Sequence, residues 1–425
     1  MIELATPESV GLCSQRLTRV SEWLQQQISS ERLAGASVLI GRRGKVAYFD
    51  CAGLADQAAG KPFAQDTIVR IYSMTKPITT VAAMMLYEQG CFQLDDPIAL
   101  YLPEFKDMRV WLGGDAGLDE TVAASGPITV KQLMTHTSGL TYGFMQANPV
   151  DRFYRDEGIE PGTSNLSLQE MVERLAAAPL LCQPGSAWNY SLSSDVLGRL
   201  VEVWSGLSLD EFFRTRIFEP LDMRDAAFHV STENQHRFAA CYSPLSGANL
   251  ANVAGAVSDV SVPKPTGLKL QDAPDTSAYL QPPALFSGGG GLTASMRDYA
   301  RFCQMLLGNG ELDGQRLLGR KTVEFMRQNH LPDNRDMAAM GQPVWSETSY
   351  EGIGFGLGFA VVVDPVKAQI MTSTGEHHWG GAASTFFWLD AVEDLYVVML
   401  TQLMPSSTYP IRRELRTRVY QALVD

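Results

Sequence analysis

The order of strand-like and helix-like patterns along the chain constrains its fold more than any other feature of the sequence. Near the start, apolar residues three and four apart predict a helix over 14–30, and β-type runs follow at 36–41 and 45–52. The polar turn Arg42-Arg43-Gly44 between these two runs predicts a hairpin. Near the end, further β-type runs occupy 355–363, 369–374, 383–389 and 395–402, and a helical pattern over 409–423 closes the chain.

Between these ends the patterns are mainly helical. Helices are predicted over 130–136, 168–177, 194–204, 209–218 and 295–307, and residues 258–283, with five prolines, predict a long loop excursion. We therefore expect an α/β (α+β) fold in which residues 1–90 and 290–425 together build a mostly antiparallel sheet flanked by helices. Residues 91–289 are expected to form an inserted, mainly helical domain, with an active site in the cleft between the two units.

The charge and composition of the chain argue against several classes of function. The 425 residues carry a formal net charge of -13, which disfavours binding to nucleic acid or to an anionic membrane surface. No run of about 18 apolar residues predicts a membrane-spanning helix. The amino terminus lacks the basic and apolar segments of a secretory signal, and the six cysteines include no Cys-x-x-Cys pair. We therefore expect a cytoplasmic protein with free thiols and no zinc site.

The segment Ser73-Met74-Thr75-Lys76-Pro77 is the first candidate for a catalytic element. Proline is well tolerated only in the first turn of a helix, so a helix is predicted to begin close to Ser73. The free N–H groups and the dipole at that end favour negative charge. Lys76 follows one turn later on the same face, within reach of the Ser73 hydroxyl. A lysine in a poorly solvated cleft can have a lowered pKa and serve as the base that a serine nucleophile needs.

This Ser-x-x-Lys pattern is weak evidence when it stands alone. It arises by chance in many chains, and serine is also a common N-cap of helices. The sequence contains no Gly-x-Ser-x-Gly, so the nucleophile elbow of the α/β-hydrolases is not available. A serine hydrolase with this sequence therefore needs another arrangement around its serine.

Three segments make the chain similar to the class C β-lactamase-like serine hydrolases. They are Ser73-Met74-Thr75-Lys76, Trp188-Asn189-Tyr190-Ser191-Leu192 and Trp379-Gly380-Gly381-Ala382. Supporting segments are Leu94-Asp95-Asp96-Pro97, Leu133-Met134-Thr135-His136-Thr137-Ser138-Gly139-Leu140, Ile217-Phe218-Glu219-Pro220-Leu221-Asp222-Met223 and Gly289-Gly290-Gly291-Leu292-Thr293-Ala294-Ser295. The resemblance spans nearly the whole chain and implies a β-lactamase/transpeptidase-like fold. The superfamily includes D,D-peptidases, fungal acyltransferases of the lovastatin type and the family VIII carboxylesterases.

Two departures from the β-lactamase pattern make the chain resemble the family VIII carboxylesterases. β-Lactamases and D,D-peptidases usually carry Lys-Thr-Gly where this chain has Trp379-Gly380-Gly381, so an apolar wall replaces a positive charge that would meet a substrate carboxylate. Their Tyr-x-Asn is Tyr190-Ser191-Leu192 here, which removes an amide that would orient a peptide bond. The resemblance thus implies that the protein hydrolyses short-chain carboxylic esters, which are small-molecule substrates. It also implies that the reaction passes through an acyl-enzyme and uses no metal or cofactor.

The same resemblance implies roles for individual residues. Ser73 attacks the ester carbonyl, and Tyr190, held near Lys76, accepts or relays the proton; which of the two is the base stays open. The backbone N–H groups of Ser73 and Ala382 would form the oxyanion hole.

Several neighbouring residues are expected around this centre. Trp379, Gly380 and Gly381 are expected to contact the substrate, the two glycines by allowing its close approach to the strand. Tyr142 follows a conspicuous turn at 136–140 and is either a pocket-lining residue or a packed loop aromatic.

Histidines and competing activities complete the sequence-based expectations. His377 and His378 would point to opposite faces of a strand, which favours structural roles over metal binding, and His136 is expected to close a helix. Three other functions stay open: acyl transfer from the same acyl-enzyme to an alcohol or amine, β-lactam hydrolysis as a main or side activity, and a non-catalytic binding module.

Overall fold

The fold is built from sixteen strands and twelve α-helices within residues 2–160, 164–245, 267–341, 350–406 and 408–425, the parts that this computed structural model describes. The strands are β1 (Gly35–Arg42), β2 (Lys45–Asp56), β3 (Lys61–Pro62), β4 (Ile68–Arg70), β5 (Arg109–Trp111), β6 (Thr121–Ala123), β7 (Cys241–Pro244), β8 (Leu268–Asp272), β9 (Thr293–Ser295), β10 (Glu311–Leu312), β11 (Gln315–Arg316), β12 (Ile353–Phe355), β13 (Ala360–Val362), β14 (His377–Gly380), β15 (Phe386–Asp390) and β16 (Leu395–Thr401). The helices are α1 (Ser14–Ser29), α2 (Thr75–Glu88), α3 (Val130–Met134), α4 (Pro149–Asp156), α5 (Leu168–Ala176), α6 (Ser193–Ser205), α7 (Leu209–Phe213), α8 (Met296–Leu307), α9 (Arg320–Met326), α10 (Met337–Met340), α11 (Pro365–Ala368) and α12 (Ile411–Tyr420).

One eight-stranded antiparallel sheet joins the two ends of the chain. Its order is β12-β13-β14-β15-β16-β1-β2-β3, so β1 lies beside β16, with Val38 opposite Met399. Alternate side chains of β1 serve different cores: Val38 packs with α1 and α12, whereas Leu39 belongs to the larger core on the other face. Because helices cover both faces, β1 and β16 are buried along their whole length. The predicted antiparallel sheet, built from both chain ends and flanked by helices, is confirmed.

The central part of the chain is mainly helical. Helices α3 to α7 lie in the described part of residues 91–289, together with the antiparallel strand pairs β5–β6 and β7–β8. Helix α2 is buried from Thr75 to Leu86 and packs against α6, which links the sheet region to this helical part. The division into units 1–90 plus 290–425 and 91–289 stays a prediction.

Two of the predicted carboxy-terminal strands are wrong. Residues 369–374 form no strand, because α11 ends at Ala368, its C-cap Gln369 turns the chain with a φ of 53°, and the sheet strand begins later at His377. The run 355–363 is not one strand but two, since a turn at residues 356–359 separates β12 from β13. In that turn a Cβ at Gly356 would lie 2.3 Å from the Met326 carbonyl oxygen, and Gly358 has a φ of 86°.

Two further predictions need correction. The helix expected over 209–218 is α-helical only to Phe213 and continues as a π-helical turn, Arg214–Phe218. Of the predicted excursion 258–283, residues 258–266 lie outside the described residues, and 268–272 form β8, which pairs with β7. Across the described ranges, no helix combines the length and the apolar character needed to cross a membrane.

Candidate active site

Ser73 lies in a 3₁₀ turn, Tyr72–Met74, between β4 and the start of α2. Pro77 is the third residue of α2, where its missing N–H costs no helical hydrogen bond. Tyr72 has a φ of 43°, a conformation that is rare for a bulky residue and typical of functional sites. The turn leaves Ser73 partly exposed while Met74 and Lys76 are buried, so the Ser73 hydroxyl lies accessible at the N-terminal end of α2.

The three predicted catalytic side chains meet in this turn. Tyr190, which comes from the segment just before α6, donates a hydrogen bond from Oη to Ser73 Oγ at 2.6 Å. Lys76 Nζ lies 3.2 Å from the same oxygen. The Lys76 ammonium also lies 4.5 Å from the centroid of the Tyr190 ring. A residue 117 positions away in sequence is thus brought into direct contact with the serine.

Lys76 is held by two more acceptors in a buried setting. Its Nζ donates to the Gly289 carbonyl oxygen at 2.6 Å and to Tyr142 Oη at 3.0 Å. Only 1% of the lysine is exposed. Burial lowers the pKa of Lys76 from 10.5 to about 7, although the negative charge of Asp195 acts in the opposite direction. A neutral amine is therefore available near physiological pH.

The pKa of Tyr190 is shifted upward, whereas that of Lys76 is shifted downward. Burial raises the pKa of its phenol above the ordinary value of 10, and the hydrogen bond to Ser73 offsets this only in part. Its ring packs against Trp379 at 5.5 Å and against Tyr142 at 5.2 Å between centroids. Tyr190 is therefore a neutral phenol in this site.

Asp195, near the start of α6, anchors the loop that holds Lys76. Its Oδ1 accepts hydrogen bonds from Ser287 Oγ at 2.5 Å and from the Gly289 N–H at 3.1 Å. The carboxylate is fully buried, and burial raises its pKa. A Cβ at Gly289 would lie 2.4 Å from Asp195 Oδ2, so only glycine fits here. The same residue thus receives a hydrogen bond from Lys76 on its carbonyl and donates one to Asp195.

The end of β14 lies beside the Ser73 turn. A Cβ at Gly381 would lie 2.3 Å from the carbonyl oxygen of Ile71, two residues before Ser73. Within the described residues, neither the Ser73 N–H nor the Ala382 N–H donates to another protein group. The two amides are therefore available to a bound molecule.

Gly380 and Gly381 have close neighbours within the protein, and their contact with a substrate stays a prediction. A Cβ at Gly380 would lie 2.5 Å from the Arg412 guanidinium, and one at Gly381 would lie 2.2 Å from Thr385 Oγ1. The contacts with Thr385 and with the Ile71 carbonyl exclude a side chain at Gly381, whereas a side chain at Gly380 would require the Arg412 guanidinium to move.

Both the sequence and the fold of this chain are similar to those of known proteins. The family model described as beta-lactamase matches residues 20–421. The chain belongs to this family. Esterase EstB of Burkholderia gladioli is 33% identical to this chain, over 95% of this chain and 94% of its own length. Protein Rv1367c of Mycobacterium tuberculosis is 34% identical over 88% of this chain and 86% of its own length.

Solved structures agree with this family assignment. The structure described as EstCE1, a hydrolase with promiscuous acyltransferase activity, superposes with a TM-score of 0.77 at 31% identity, covering 96% of this chain and 99% of that one. The predicted β-lactamase-like fold is thereby confirmed.

The other residues singled out in the sequence are Tyr142 and three histidines, and their contacts are as follows. Tyr142 stacks on Phe144 at 4.5 Å between centroids and reaches Lys76, so it belongs to the lysine network, and pocket lining stays a prediction. His136 directly follows the C-cap of α3 with a φ of 55°. His378 Nδ1 lies 2.8 Å from Glu376 Oε1, while His377 Nδ1 lies 3.3 Å from the Gly375 carbonyl.

The structure brings three groups to the site that were not predicted from the sequence: the Gly289 carbonyl, Asp195 and Arg412. A signal existed for the first, because Gly289 lies in a run of four glycines at 288–291. Asp195 follows Tyr190 by five residues, but no pattern in the sequence marks it as a partner of the loop. Arg412 is one of several arginines on α12, and only the packing of α12 on β14 distinguishes it.

Proposed function

We propose that this protein is a serine hydrolase that cleaves short-chain carboxylic esters through an acyl-enzyme on Ser73. The observation that carries the proposal is the placement of one hydroxyl, Ser73 Oγ, between the Tyr190 phenol at 2.6 Å and the Lys76 amine at 3.2 Å. EstB and EstCE1, whose names describe an esterase and a hydrolase, support the choice of reaction class.

Lys76 is the general base in this proposal. A neutral amine has two N–H groups and one lone pair, and the Gly289 carbonyl and Tyr142 hydroxyl take the two N–H groups. The lone pair is then directed at Ser73, whose proton it accepts as Oγ attacks the ester carbonyl. Because burial raises the pKa of Tyr190, a phenolate is the less available base.

Tyr190 is the proton donor to the leaving alcohol. Its hydroxyl already points at Ser73 Oγ, the atom that is bonded to the tetrahedral carbon during the reaction. Loss of its proton leaves a phenolate beside the Lys76 ammonium, and this charge pair stabilises the acyl-enzyme stage. In deacylation the phenolate takes a proton from water, water attacks the acyl carbon, and Lys76 returns its proton to Ser73 Oγ. The cycle consumes one ester and one water and releases one alcohol and one acid.

The oxyanion is stabilised by the N–H groups of Ser73 and Ala382 in this proposal. Both belong to backbone that is rigidly packed, Ser73 by the turn into α2 and Ala382 by the end of β14. Preorganised donors of this kind contribute about 10²–10³-fold each to the rate.

Trp379 favours neutral esters over β-lactams and cell-wall peptides. Its ring packs against Tyr190 at 5.5 Å and against Phe355 at 5.3 Å, and it is 7% exposed. This apolar side chain offers no positive charge to a substrate carboxylate. We infer a small neutral ester as substrate, and the six free thiols support a proposed cytoplasmic location.

A panel of p-nitrophenyl esters from acetate to decanoate tests the proposal, with Ser73→Ala as the decisive variant and exposed Ser29→Ala as the matched control. We expect the highest kcat/KM on short chains, labelling of the wild type by a fluorophosphonate probe, and loss of both in Ser73→Ala alone. Activity retained by Ser73→Ala would refute the proposal.

Acyl transfer is the second candidate, because the EstCE1 description names a promiscuous acyltransferase activity. The acyl-enzyme chemistry is the same, and only the acceptor differs. Adding a primary alcohol to the ester assay distinguishes the two: ester exchange that exceeds hydrolysis would favour a transferase. Nitrocefin turnover that rivals ester turnover would instead favour β-lactam hydrolysis.

A further inference from the structure

Arg412 on α12 occupies an unusual position against the end of β14. Its guanidinium lies where a side chain on Gly380 would be, since a Cβ there would come within 2.5 Å of Nη2 and 2.6 Å of Cζ. It also lies over the Phe386 ring, with Cζ 5.0 Å from the centroid. The site mechanism described above assigns this arginine no role.

The guanidinium donates hydrogen bonds to two carbonyl groups at the turn that follows β14. Nη2 donates to the Gly381 carbonyl oxygen at 3.1 Å and to the Thr385 carbonyl oxygen at 3.3 Å. The Gly381 oxygen also accepts from the Ser384 N–H at 3.1 Å, and the Gly381 N–H donates to Thr385 at 2.9 Å. The Gly381 carbonyl is therefore fixed toward the turn at residues 381–385 by two donors.

The orientation of this carbonyl determines the orientation of the next amide. The carbonyl of Gly381 and the N–H of Ala382 belong to the same planar peptide unit, and in a trans peptide they point in opposite directions. The Ala382 N–H must therefore point away from the turn. Because Gly381 packs against Ile71, this peptide lies beside the Ser73 turn.

We propose that Arg412 is a positioning residue for the oxyanion hole: it holds the Gly381–Ala382 peptide so that the Ala382 N–H faces the reacting carbonyl. The inference rests on the proposed function, since it presumes the oxyanion at Ala382. With the Ser384 N–H as its only donor, the Gly381 carbonyl could still change its direction. Arg412 on α12 supplies a second donor that restricts this rotation of the peptide. Gly380 is required so that the guanidinium can come close enough to do so.

The test compares Arg412→Met with Arg412→Lys and, as matched control, Arg413→Gln, a change of the exposed arginine next to it on α12. For Arg412→Met we expect kcat to fall about 10- to 100-fold with KM within about threefold, because a misoriented donor acts mainly in the transition state. Arg412→Lys should recover part of the loss, because its ammonium keeps the charge and can still donate a hydrogen bond. Arg413→Gln should match the wild type.

A second measurement separates positioning from other effects of the charge. Phenylboronic acid forms a tetrahedral adduct with a nucleophilic serine and needs the oxyanion hole but no proton transfer to a leaving group. Its affinity should weaken in Arg412→Met by about the same factor as kcat. A loss of kcat with unchanged boronate affinity would overturn the inference and assign Arg412 an effect on proton transfer instead.

The outcomes distinguish this inference from the proposed function. If phenylboronic acid binds the wild type and Ser73→Ala equally, the proposed function fails before Arg412 is considered. If binding depends on Ser73 but Arg412→Met keeps wild-type kcat and boronate affinity, only the inference fails. Should Arg412→Met not fold, Arg412→Gln, which is neutral and too short to reach Gly381, decides the question by the same two measurements.

Discussion

The pH dependence of ester hydrolysis tests the proposed role of Lys76 most directly. Burial holds the pKa of this lysine at about 7, so the neutral, active amine dominates above that pH. The value of kcat/KM should therefore fall roughly tenfold per pH unit below about 7 and level off above about 8. At about pH 7.5 roughly three quarters of the lysine is neutral, against about 0.1% for an ordinary lysine of pKa 10.5. Burial thus provides an almost 10³-fold larger active fraction, which corresponds to about 4 kcal/mol.

Two variants test whether the fall of kcat/KM at low pH, the acidic limb of the profile, reflects protonation of Lys76. Asp195 raises the pKa of Lys76, so Asp195→Asn, which keeps the shape and the acceptor oxygen, should shift the limb to lower pH. Glu160 is the necessary control, because burial raises its pKa to about 7 as well and its neighbours include the Tyr142 loop. Glu160→Gln should leave the limb in place. His136 contributes nothing near this pH, since burial holds its pKa well below 6.5.

The assay is kcat/KM for p-nitrophenyl butyrate between about pH 5 and 9 at constant ionic strength, on the wild type, both variants and Lys76→Arg. An arginine stays charged throughout this range and should be nearly inactive. A flat profile down to about pH 5, a limb that disappears in Glu160→Gln, or an active Lys76→Arg would each refute the assignment of Lys76 as the base.

Three further predictions follow from the same contacts. Tyr190→Phe should lower kcat by about 10²–10⁴-fold in steady-state assays, because the leaving alcohol loses its proton donor; a fall of less than threefold would contradict this role. Lys76→Met should raise the free energy of unfolding at about pH 6 by up to about 5 kcal/mol in urea titrations, because the wild-type lysine is buried as a cation there. The unfolded state binds more protons than the native state between about pH 7 and 10.5, so the gain should shrink as pH rises through this window, and a gain that grows would contradict the sign. Gly381→Ala should lower the thermal midpoint, at a cost of roughly 1–3 kcal/mol, because its Cβ would lie 2.3 Å from the Ile71 carbonyl; an unchanged midpoint would show that the strand relaxes freely.

Local patterns were sufficient to predict much of this molecule. The continuous β-type runs of β1 and β16 and the proline in the first turn of α2 depend on neighbours in sequence, so the strands and the helix start could be predicted from residues alone. The trio of Ser73, Lys76 and Tyr190 was predicted through its resemblance to a family. Strand predictions failed at 369–374, where the positive φ of Gln369 follows from a short helix that the apolar pattern does not reveal.

Only the tertiary structure decided which groups contact Lys76 and the Gly381 peptide. The sequence by itself determined that a lysine stands one turn after a serine at a helix start. The lowered pKa of that lysine depends on burial by residues more than 60 positions away, among them Tyr142 and the Gly289 loop. Likewise, Arg412 meets Gly381 across 31 positions because α12 folds back over the sheet. Burial and hydrogen-bond direction are properties of the packed chain, whereas helix starts and strand faces are encoded locally.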